Sequence, residues 1–93
     1  MLHTIERMIY MFKWKIRLDT LSDANNFLFA VSQIPEEVYI RSGKHLCTSA
    51  KSALGCHMAR VEWSNLICEC ESDIYTKIAK FVIDDSPATA EIW

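Results

Sequence analysis

An α+β fold of two layers, with a four-stranded antiparallel sheet covered on one face by three helices, follows from three observations. Apolar residues alternate in two stretches, Phe12/Trp14/Ile16/Leu18 and Leu66/Cys68/Cys70, which is the period of a half-buried strand. Between and after them, apolar residues recur at helical spacing, as in Phe27/Leu28/Val31/Ile34 and Ile74/Ile78/Ala79. Turn and cap residues divide the rest, so the chain reads β-α-β-β-α-β-α. At 93 residues there is room for one domain. We divide it into an N-terminal extension (1–10), the domain proper (11–84) and a C-terminal tail (85–93).

The extension has Ile5, Met8 and Ile9 at helical spacing but no cap. From Met11 to Leu18 the alternation predicts a strand with Phe12, Trp14, Ile16 and Leu18 inward and Lys13, Lys15 and Arg17 on a wet, basic face. Ser22 is the expected N-cap of a helix over 24–34, with Asp23 suited to the positive end of its dipole, and Pro35 ends it. Glu37 to Ser42 alternates again. Ser42-Gly43-Lys44 is a turn that pairs His45–Ser49 back as a hairpin. Ser49 is the expected cap of a helix from Ala50 to Met58. Arg60 to Glu71 holds a second long strand, and Ser72 and Asp73 introduce a final helix.

Composition narrows the function classes. The chain is 51% hydrophobic with two Gly and two Pro, which excludes global disorder. The longest apolar run is Phe27–Val31, far below the roughly 20 residues of a membrane-spanning helix. Met1–Tyr10 lacks a basic region followed by an apolar block, so a cytoplasmic protein without membrane insertion is expected. Net charge is −2, giving no general affinity for nucleic acid. The charge is uneven. Residues 1–60 carry eight Lys/Arg against five Asp/Glu, and residues 61–93 two against seven.

Cys47, Cys56, Cys68 and Cys70 raise the question of zinc with His45 or His57, or of thiol chemistry. Cys68-Glu69-Cys70 is C-x-C in a strand, not the C-x-x-C knuckle that wraps a tetrahedral metal. Cys68 and Cys70 then share a face with Leu66 and read as small core residues. No cofactor or metal site is expected. There is no Gly-rich phosphate loop, Ser-His-Asp set or spaced carboxylate pair, so enzyme activity is not expected either.

One string adds a resemblance. Ser42-Gly43-Lys44, then Thr48-Ser49-Ala50-Lys51-Ser52-Ala53-Leu54-Gly55, resembles the Asn-Gly-Lys hairpin and Asn-Ala-Lys-Ser-Ile-Met-Gly helix of the histidine-containing phosphocarrier (HPr) family of the bacterial sugar phosphotransferase system. Leu66–Glu71 and the acidic start of the last helix resemble that family's next strand and terminal helix. The resemblance covers residues 12–83 and implies sheet order 1-4-2-3. In that family a His where the first strand meets the first helix accepts a phosphoryl group, held by helix-terminal amides and an Arg. Here the matching stretch is Thr20, Leu21, Ser22 and Asp23, with no His, Arg or Pro, so the phosphocarrier residue is missing.

The resemblance marks Ser52 as the counterpart of a serine phosphorylated by a dedicated kinase. It also places Lys51, Ala53, Leu54 and His57 on the helix that docks partner proteins. The implied partners are proteins of the phosphotransferase system, HPr kinase or a transcription regulator. The expected function is therefore a regulatory, protein-binding homologue. A phosphocarrier with a displaced acceptor and a thiol- or metal-binding protein are the alternatives.

Overall fold

The computed structural model describes residues 11–83; the extension (1–10) and the tail (85–93) of the sequence reading lie outside the described residues. Strands β1 (Phe12–Ile16), β2 (Val38–Ser42), β3 (Leu46–Ser49) and β4 (Leu66–Cys70) alternate with helices α1 (Leu21–Ser32), α2 (Ala53–Glu62) and α3 (Tyr75–Ile78), the last continued by a 3-10 turn, Ala79–Phe81. The four strands form one antiparallel sheet in the order β1-β4-β2-β3. The expected α+β layout is the one found.

The alternation of each strand sorts the sheet into two faces. One row, Trp14, Cys68, Ile40 and Thr48, is paired across all four strands. Its first three members are buried in the cluster that also holds Phe27, Val31, Cys56, Ala59 and Ile78 from the helices. The neighbouring row, Lys13, Glu69, Tyr39 and Ser49, points the other way. The core is closed at one side by Phe27 and Phe81, whose rings meet edge to face at 5.3 Å and 85°.

The outward face departs from the expectation of a wet basic surface. Lys15 and Arg17 are exposed, but Lys13 is only 5% and Glu69 only 2% exposed. Glu69 Oε2 accepts a hydrogen bond from Arg41 Nε at 3.0 Å and lies 3.8 Å from Lys13 Nζ. Alternation assigned the face of Lys13 correctly; its low exposure arises only in the folded chain.

Several boundaries also differ, for local reasons. Thr20, not Ser22, caps α1: its Oγ1 accepts the Asp23 N–H while the Asp23 carboxylate accepts the Thr20 N–H, a reciprocal capping box. Ser52, not Ser49, caps α2, accepting the Gly55 N–H. The helix therefore starts three residues later than expected and runs to Glu62, taking Arg60 and Val61 from the anticipated strand region. The last helix is a single turn whose N-cap, Ile74, makes no side-chain cap bond. Asp73 Oδ1 instead accepts the Tyr75 N–H, and Ser72 donates to Glu36 Oε2 across the sheet end.

Two tight turns position these parts. Gly43 adopts φ +67° in the hairpin, and Asn65, at φ 57°, turns the chain from α2 into β4. After the 3-10 turn the chain runs back along β1, with Ile83 N–H donating to Lys15 O and Arg17 N–H to Phe81 O.

Removing the Glu69 carboxylate leaves Lys13 and Arg41 without their shared anion. Glu69→Ala is expected to destabilise the protein by about 3 kcal/mol, because one partner of a buried pair is lost. The exposed-pair variant Asp19→Ala is expected to cost under about 1 kcal/mol. Urea denaturation of both variants checks the contrast.

Candidate functional site

Two regions collect the residues singled out by the sequence: the turn from β1 into α1, and the N-terminal half of α2. At the first, two amides just before α1 hold an anion from the chain itself. Asp23 Oδ2 accepts the Asp19 N–H at 3.1 Å and the Thr20 N–H at 3.2 Å, while Thr20 Oγ1 takes the Asp23 N–H at 3.0 Å. An internal carboxylate thus uses the favourable end of the helix dipole. Leu21 is 59% exposed and Ser22 is exposed, its Oγ accepting from Asn26 Nδ2 at 3.5 Å.

Two arginines lie beside this turn. Arg17 Nε is 3.6 Å from Asp19 Oδ1, and Arg60 Nη2 donates to Asp19 O at 3.1 Å. They line a hollow with Asp19, Trp63, Asn65 and Leu66. Arg60 was not expected here, because sequence reasoning ended the helix at Met58. Neither His45, in the hairpin loop, nor His57, within α2, lines it, and His3 lies outside the described residues.

The second region is shaped by the α2 cap. Ser52, half-buried, has extended backbone (φ −96°, ψ 122°), and its Oγ accepts the Gly55 N–H at 3.0 Å. Lys51 is turned inward: its Nζ donates to Ile34 O at 2.5 Å, tying the N-terminus of α2 to the end of α1. Gly55 is packed against β3. A Cβ there would collide with Thr48 Oγ1 and stand 3.2 Å from Ser49 O, which explains the glycine at this point of the motif.

Ala53 is exposed and Leu54 is 79% exposed, so both are available to a partner. His57 is half-buried, with Nδ1 enclosed and without a hydrogen-bond partner. Val61, 69% exposed, extends the stripe from Leu54 two turns further along α2. The seven-residue spacing from Leu54 to Val61 was the available signal, masked by reading residues 60–71 as strand.

The cysteines do not converge. Cys56, Cys68 and Cys70 are buried in the core, whereas Cys47 is exposed on β3 and paired with Arg41 in the outward row. Burial pushes the Cys56 thiol up to about 11, and its Sγ donates to Ala50 O. Burial also raises Cys68, helped by Cys70, Glu69 and Cys56, and raises Cys70. Raised thiols are poor nucleophiles and poor metal ligands at neutral pH. Among the described residues no group of three or more His, Cys, Asp or Glu could hold a metal ion, and no helix is long and apolar enough to cross a membrane.

Comparison with protein-family models, curated proteins and solved structures gave no match.

Thiol titration of the native protein is expected to show one fast group, abolished by Cys47→Ser, and three that react only on unfolding. The raised Cys56 value has a sign. Its stabilising contribution is complete below the ordinary thiol value near 9 and is lost as pH rises toward about 11. The urea midpoint should therefore fall across that interval, and fall less steeply in Cys56→Ala.

Proposed function

We propose that this is a non-catalytic, cytoplasmic homologue of the HPr phosphocarriers that binds a protein partner through α2 and is switched by phosphorylation of Ser52. The observation that carries the reading is the arrangement on α2. An exposed apolar stripe, Leu54 and Val61, begins two residues past a capping serine whose hydroxyl already faces the helix N-terminus. A phosphate on that oxygen would meet the positive end of the dipole and the free amides of the first turn, where negative charge is favoured. It would also place a dianion at the start of the helix that carries the apolar stripe, changing what can dock there. The sheet order β1-β4-β2-β3, which the resemblance implies, is consistent with this kinship.

Loss of phosphoryl transfer is the other half of the reading. The Asp23 carboxylate, bonded to the Asp19 and Thr20 amides, already stands at the start of α1, and an incoming anion there would be repelled by it. The partners best suited to the stripe are proteins of or related to the phosphotransferase system, such as HPr kinase or a transcription regulator. Lys51 supports the site from beneath by bonding Ile34 O rather than by reaching a partner.

Intact mass after two separate incubations tests this. With ATP and HPr kinase, one phosphate is expected, absent in Ser52→Ala. With phosphoenolpyruvate and the general phosphotransferase enzyme, none is expected. Uptake in the second reaction would instead support a displaced acceptor, and uptake in neither would remove the switch. Leu54→Asp with Val61→Asp should lower kcat/KM for the kinase reaction by about tenfold or more, as loss of central apolar contacts does.

A further inference from the structure

The hollow lined by Arg17 and Arg60 takes no part in docking on Leu54 or in the Ser52 switch. Arg60 stands eight residues along α2 from Ser52, about 12 Å at helical rise. Asp23 does not line it, so it is also separate from the capped start of α1. Its volume is about 290 Å³, at the lower limit of the roughly 300–1,000 Å³ of small-molecule sites. That suits a small molecule, not a nucleotide. Ile16, Leu18, Leu66 and Trp63 give it an apolar lining, and two guanidinium groups stand there against the one carboxylate of Asp19.

The two arginines are poorly satisfied by the chain. Among the described residues Arg60 gives one side-chain hydrogen bond, from Nη2 to Asp19 O at 3.1 Å, and its Nε is enclosed with no acceptor. No carboxylate pairs with Arg60 among these residues. An enclosed N–H without a partner is a cost that calls for an explanation. The Arg17 guanidinium meets Asp19 at 3.6 Å in an exposed pair, which is weak. The adjoining hollow at Lys80 is a poorer place for an anion, because Asp19 and Asp23 there balance Arg17 and Lys80.

We propose that the Arg17–Arg60 hollow binds a small aromatic monocarboxylate, with its anionic end at the two guanidinium groups and its ring on Trp63. Arginine donates paired N–H bonds to a carboxylate, and an aromatic ring packs on indole in an offset stack. One negative charge balances the one positive charge that Asp19 leaves over. A phosphate dianion would exceed that balance and be repelled by Asp19.

Phenylacetate added to the full chain, followed by proton–nitrogen chemical shifts, tests this independently of Ser52. Saturable shifts are expected at the Trp63 indole N–H and the Arg60 Nε–H, half complete near about 1 mM, an affinity ordinary for so small a ligand. Benzyl alcohol, which lacks the charge, and acetate, which lacks the ring, should each bind about tenfold more weakly or worse. Arg60→Met and Arg17→Gln should each weaken phenylacetate about tenfold. Asp19→Asn should tighten it about threefold, by freeing Arg17 from a competing carboxylate. Arg17 is exposed, so its variant decides the matter even where Arg60→Met fails to fold. The proposal is overturned by equal binding of benzyl alcohol, by tighter binding of phenyl phosphate, by affinity unchanged in Arg17→Gln, or by no saturable shift at Trp63.

Discussion

The structure depends on the register of β4. This strand lies between β1 and β2, and its alternation sends Leu66, Cys68 and Cys70 into the helix-facing core and Glu69 to the other side. A slip of one residue would exchange the faces, pressing a carboxylate into the layer of Trp14, Ile40 and Phe27 and stranding three apolar side chains. The Glu69 contacts to Arg41 on β2 and Lys13 on β1 make the correct register electrostatically distinct as well. Removing one member of such a buried set is costly, because the charges left behind lose their partner.

From that sheet the rest follows by covering. α1 and α2 lay Phe27, Val31, Cys56 and Ala59 on the inner face, and the short α3 with its 3-10 turn brings Ile78 and Phe81 to close it. Close approach sets what can stand where. Gly55 stands on α2 because β3 passes directly beneath it, and Lys51 gives its ammonium to the Ile34 carbonyl just past α1. The surface of α2 left exposed carries Leu54 and Val61.

The two ends of the helices differ in a way that bears on function. The opening of α1 is closed by its own capping box, an anion site filled by the chain that forms it. The opening of α2 is capped by a hydroxyl, which leaves its dipole without a full negative charge. One helix start carries a carboxylate of its own and the other does not. This asymmetry supports a regulatory reading over a phosphoryl-transfer one.

Periodicity alone determined the order of elements, the two faces of β1 and β4, and the placement of Cys68 and Cys70 in the core, because alternation and helical spacing are local properties of the chain. Lys51, Ser52, Ala53, Leu54 and His57 were grouped in the sequence by the resemblance of their string to a known motif, and the fold sets them at the start of α2 with Lys51 turned inward. The caps were not, since Thr20 against Ser22 and Ser52 against Ser49 are chemically equivalent candidates, and only the path of the chain into each helix selects between them. Nor could Val61 be assigned to α2 while the helix end was unmarked by Gly or Pro. The burial of Lys13, the inward bond of Lys51 and the approach of Arg60 to Asp19 were decided by tertiary structure alone. Each depends on a partner 17 to 56 positions away, and a side chain's surroundings at such separations are created by folding.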